Sequence, residues 1–155
     1  MKLWYVVSMI LALILSIVGC GAPSESADLD NYLTEVSPLI EEIWDISSDL
    51  IETAVEAGPF ELTKITETLA TYSDKYQDLL NRFKAVEYPE EAVNHRKYTI
   101  DIINNNKQMV DELTAYVDTR DISHLHKAKS YATDSEELRP IVADEWAKLR
   151  DMAGE

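Results

Sequence analysis

Four apolar seams, each stepping by alternating intervals of four and three residues, commit this chain to packed helices. The first runs Leu29, Leu33, Val36, Ile40, Ile43, Ser47, Leu50 and Ala54. Heptad spacing keeps such a stripe on one side of a helix, whereas a strand face needs an interval of two. The second seam is Leu62, Ile65, Leu69, Tyr72, Tyr76, Leu79, Phe83 and Val86. The third is His95, Thr99, Ile102, Asn106, Met109, Leu113 and Tyr116. The fourth is Ile122, Leu125, Ala128, Ala132, Ser135, Leu138, Val142, Trp146 and Leu149. Between the seams stand Gly58-Pro59, then Pro89 followed by Glu90 and Glu91, then the polar run Asp118-Thr119-Arg120-Asp121. Glycine suits a helix end, proline a helix start, and carboxylates a helix amino terminus. Similar lengths and short connections predict an all-α fold, an up-down antiparallel four-helix bundle over residues 28–151. Pro38 and Pro140 fall inside helical patterns, where each predicts a kink or a break.

The chain opens with an apolar stretch of a different kind. Lys2 supplies a short positive region, and residues 3–18 are uncharged and mostly apolar, shorter than the roughly 20 residues a membrane-spanning helix needs. Small residues follow directly, with no basic stop-transfer flank. Ile17-Val18-Gly19-Cys20 resembles the lipobox of bacterial lipoproteins: an aliphatic residue, a small or β-branched one, Gly or Ala, then Cys. The resemblance implies a signal peptide at 1–19 and cleavage before Cys20. It further implies diacylglycerol on the Cys20 sulfur and a further acyl chain, such as palmitate, on the new amino terminus. Two or three acyl chains give stable anchoring where one gives reversible binding. Residues 20–27 then form a lipidated cysteine and a short polar linker, and the membrane is a partner through the anchor. The expected place is the extracytoplasmic face of the cell membrane, or the outer membrane if the cell has one, since Gly21 is not Asp. Cys20 is also the only cysteine, which excludes an intrachain disulfide and any multi-cysteine metal site.

Charge narrows the function further. With 29 Asp and Glu against 14 Lys and Arg, the formal charge is -15, which argues against a nucleic-acid partner. Asp28, Glu35, Glu42, Asp49 and Glu56 recur every seven residues along the first seam's outer side. Such a row reads as a solvated face; the sharper alternative is a dock for a basic partner or for loosely held cations. His95, His124 and His126 lack the Glu-x-x-His pattern of di-metal bundles, so no metal site is expected. No Cys-x-x-Cys-His, Gly-x-Ser-x-Gly or glycine-rich phosphate loop occurs, and neither a cofactor nor an enzymatic activity is expected.

One polar constellation remains. Counting from helix ends in antiparallel order places Ser47, Tyr72, Asn106 and Ser135 at one height on seam positions. Such a layer fixes helix register, or else lines a small polar pocket. The sequence thus predicts an exported, lipid-anchored, non-enzymatic helical module that docks a protein partner on a helix face. The alternative is a carrier that holds a small ligand or metal in the polar bundle interior.

Overall fold

In the computed structural model, which describes residues 28–57 and 62–154, Pro89 directly precedes a 3-10 turn and the polar run 118–121 spans the junction of two helices, while Gly58-Pro59 lies outside the described residues. The expected signal peptide, Cys20 and the 20–27 linker lie outside these residues, as do the side chains of Ala54, Leu62 and Ile65. Four α-helices make up the described chain: α1 Leu29–Ala57, α2 Leu62–Ala85, α3 Val93–Thr119 and α4 Ile122–Ala153, with a 3-10 turn, Glu90–Ala92, before α3. No strand occurs among the described residues, and none of their helices is long and apolar enough to cross a membrane.

The ends are closed by local chemistry. Asp28 Oδ1 accepts the Asp30 N–H at 3.1 Å, and Asp121 Oδ1 accepts the Ser123 N–H at 2.9 Å at the start of α4. That second bond holds the Asp121 carboxyl below its ordinary value. Arg120, at φ 60°, and Gly154, at φ 84°, take the left-handed conformation that lets a helix stop, and their N–H groups return to carbonyls of α3 and α4. Neither internal proline breaks its helix: α1 passes through Pro38 and α4 through Pro140. Both prolines are exposed, so water can serve the carbonyl that each leaves unbonded four residues upstream.

Successive helices pack on one another, and α1 also touches α4, more sparsely. Paired positions fall on one helix as they rise on the next. Glu42 pairs with Arg82 and Asp49 with Lys75 between α1 and α2, while His95 meets Trp146 and Asn106 meets Ser135 between α3 and α4. The buried stripe is broader than a heptad seam. On α1 it takes Tyr32, Leu39 and Ile46 as well as Leu33, Val36, Ile43 and Leu50. On α4 it thins to Ala128, Ser135, Val142 and Leu149, one residue in seven, and Ile122 is exposed.

Packing is uneven along the helices. Tyr32 and Val36 of α1, Leu79 and Phe83 of α2, Ile102 and Ile103 of α3 and Leu149 of α4 are almost wholly buried and gather at one end. At the other end Met109, Leu113, Tyr116 and Leu125 are only half-buried. Side chains of one methylene more or less matter in a filled core, so this second end is where volume is missing.

Candidate ligand-binding site

The hollow end is built around two hydrogen-bonded pairs, one between α3 and α4 and one between α1 and α2. Ser135 of α4 donates to Asn106 Oδ1 of α3 at 2.8 Å. Tyr76 of α2 lies 2.9 Å from Ser47 Oγ of α1, and Asn106 bears on it closely enough to oppose the rise of its pKa. Ser47 in turn donates to the Ile43 carbonyl at 2.7 Å, which leaves Tyr76 as the donor to Ser47. Burial raises the Tyr76 pKa, against the opposing pull of Ser47, the Arg139 charge and Asn106, so the phenol stays protonated at neutral pH.

Ser47, Asn106 and Ser135 therefore meet as the seams suggested, but with Tyr76 in place of Tyr72. Tyr72 lies one turn away, with its hydroxyl 3.1 Å from Thr53 Oγ1 on α1. Its ring is buried, and Lys75 sits 4.9 Å from the ring centroid. The displacement follows from the α1–α2 register, which the Glu42–Arg82 and Asp49–Lys75 pairs mark.

Beside the two pairs is a cavity of about 220 Å³, lined by Ser47, Tyr76, Asn106, Ser135, Glu136 and Arg139, with Leu50, Ile51, Met109 and Ala132. Arg139 is the one cation on this wall. Its guanidinium sits 4.7 Å from the Trp44 ring centroid and bonds Glu136 at 3.2 Å. Its Nε is buried with no hydrogen-bond partner. A second cavity of about 300 Å³ adjoins across Leu50, Ile51 and Met109. It is apolar: Leu69, Leu113, Tyr116, Val117 and Leu125 complete most of its wall. Ile51, 62% exposed, is common to both and marks the solvent side.

A third, wider concavity of about 530 Å³ lies between α1 and α4 at the packed end, lined by Leu33, Thr34, Ser37, Pro38, Glu41, Trp146 and Arg150. Thr34, Pro38, Glu41 and Arg150 are exposed, so this is a surface cleft that water fills without cost. The pair at the loosely packed end is the better candidate because it sets oriented polar groups beside an apolar wall.

The remaining expectations resolve at particular side chains. Two acids of the α1 row, Glu42 and Asp49, face Arg82 and Lys75 of α2; they do not point wholly into solvent. Such exposed pairs contribute roughly 0–1 kcal/mol each. His124 Nδ1 meets Glu112 Oε2 at 2.5 Å, and His126 is exposed on the neighbouring face. Glu91 is exposed while His95 is fully buried, so those two do not share a site. Among the described residues no group of three or more His, Cys, Asp or Glu is arranged to hold a metal ion.

His95 has a different setting, at the packed end. Its Nδ1 lies 2.8 Å from the Tyr32 hydroxyl, Tyr32 meets it edge-on, and the Trp146 ring is 5.0 Å away. Nε2 is buried with no partner. Burial lowers its pKa to about 4, against a small raising effect from Glu145, so the ring is neutral at physiological pH. No protein-family model, curated protein or solved structure matches this chain.

Proposed function

We propose that this chain is an exported, lipid-anchored, non-enzymatic binding protein that carries a small ligand inside an up-down antiparallel four-helix bundle. The observation that carries the reading is the pair of adjoining cavities, one polar and one apolar, at the loosely packed end. A layer serving register alone would be closed by packing, yet here the Ser135–Asn106 and Tyr76–Ser47 pairs border open volume. Support for the antiparallel topology comes from the falling and rising residue numbers of the Glu42–Arg82, Asp49–Lys75, His95–Trp146 and Asn106–Ser135 pairs. The anchor rests on the resemblance at Cys20, and nucleic acid is left out as a partner on the charge of -15.

Native mass spectrometry of the full chain, expressed in a lipoprotein-processing bacterium and released from lipid nanodiscs, tests the interior reading. Retention of one small molecule per chain is expected. A bare chain under conditions that keep it folded would count against interior binding. Cys20→Ser tests the anchor: the variant is expected to stay as uncleaved precursor with no lipid label, and normal processing would remove the lipoprotein assignment.

Docking of a protein partner on a helix face is the second reading. Glu35, Glu41, Asp45 and Glu52 of α1 are all exposed and favour it. A stoichiometric protein captured from membranes, lost on neutralising these four acids, would place it first.

A further inference from the structure

We infer that the interior ligand is a single-chain amphiphile with a carboxylate head, seated with its head at Arg139 and Asn106 and its tail among Leu69, Leu113, Tyr116 and Leu125. The inference rests on the interior-binding reading above and specifies its chemistry. The two cavities share Leu50, Ile51 and Met109 as wall residues, so one elongated molecule can span both if those side chains give way between them. Met109 is unbranched and adapts its shape with little penalty, which suits it to the junction. The apolar compartment has no charged side chain in its wall, and its hydroxyls belong to Thr53, Thr68 and Tyr116. Thr53 is already engaged with Tyr72. Such a wall accepts a hydrocarbon tail and rejects a polar one.

The polar compartment selects the head by what it leaves unsatisfied. Ser135, Tyr76 and Ser47 have spent their hydrogens in the bonds already described. Asn106 lines the cavity with its amide oxygen already accepting from Ser135, so the N–H end of that amide is what it offers a head group. The buried Arg139 Nε–H is the other idle donor. Two donors, one of them on a cation, call for an acceptor-only head, and a carboxylate provides that. Glu136 does not occupy the position: its one bond to Arg139 runs to Nη2, and its side chain is 63% exposed. A cationic head would meet the Arg139 charge there, and the one anion on the wall, Glu136, is already paired with Arg139.

Photo-crosslinking on the full chain in lipid nanodiscs tests this. The probes are decanoate and decanol, each with a diazirine at the tail end, and the readout is the labelled residue found by peptide mapping. Decanoate is expected to label Leu113, Tyr116 or Leu125. Unlabelled decanoate should compete at roughly tenfold lower concentration than decyltrimethylammonium, the factor that a charge-assisted hydrogen bond supplies. Arg139→Gln should weaken decanoate labelling by about the same factor and leave decanol labelling unchanged. Leu113→Trp, which fills the apolar compartment, should remove labelling at Leu125 by both probes. Equal competition by the cationic amphiphile, or decanoate labelling indifferent to Arg139→Gln, would overturn the carboxylate head. Labelling of these residues would still stand as interior binding. Labelling confined to residues outside both cavities would overturn the inference, as would a ligand without a hydrocarbon chain in the native mass spectrum. That second result would leave the carrier reading intact.

Discussion

Acidification from pH 6.5 to about 4 is expected to remove about 3 kcal/mol of stability through His95 alone. The sign follows from a folded-state pKa that lies below the unfolded one. Above pH 6.5 the ring is neutral in both states and contributes nothing to the pH dependence. As the pH falls, the unfolded chain takes up a proton that the buried ring refuses, and stability declines until the folded-state value near 4 is reached. Refusal has a structural cause: Tyr32 occupies Nδ1, Trp146 lies across the ring, and Nε2 has no acceptor that could share a positive charge. The many carboxylates titrate too, so the measurement is a difference. Urea unfolding of wild type and His95→Gln at pH 7, 5.5 and 4 should show wild type losing about 3 kcal/mol relative to the variant. Parallel profiles would mean that His95 takes up its proton as readily folded as unfolded.

A second large effect separates the two ends of the molecule. Leu79→Ala, at a residue with no exposed surface, is expected to cost about 2–5 kcal/mol, the lost burial plus the cavity it leaves. Leu125→Ala removes the same atoms from the rim of an existing void, and is expected to cost less than about 1 kcal/mol. Chemical denaturation with an unchanged m-value checks both. Equal losses would show that the hollow end is as tightly packed as the other. Near-neutrality at Leu125 is also the usual behaviour of side chains that wait for a ligand.

The sequence was most informative where a local rule acts alone. Pro89 before the 3-10 turn and the polar run 118–121 between α3 and α4 mark helix boundaries through backbone chemistry that needs no tertiary context. Heptad spacing located the inner side of every helix but not its width. Tyr32, Leu39 and Ile46 joined the buried stripe because α1 is flanked by α2 and α4, not by one partner as in a coiled coil. The polar layer was legible to within one turn. Height counted from helix ends is uncertain by the 5.4 Å pitch, and the interlocking of α1 with α2 selects Tyr76 over Tyr72. Arg139 was missed, although its place four residues after Ser135 sets both on one side of α4. The cavities left no sequence signal, because a void is a shortfall of volume summed over four helices, and no single residue records it.

The unequal ends also orient the molecule toward its surroundings. Leu29 begins α1 at the filled end, and Ser47 lies eighteen residues along it, about 27 Å at 1.5 Å per residue. On the proposed anchoring at Cys20, with the seven residues 21–27 as tether, the filled end would stand next to the headgroups and the cavity mouth would face outward. An acyl cargo would then not slip in sideways from the leaflet that holds the protein. It would have to be handed over from across the aqueous gap, from a facing envelope layer, a soluble donor or a neighbouring machine. On that proposal, four helices of this height on so short a leash would act as a collection post standing above their own membrane, turned toward whatever lies opposite.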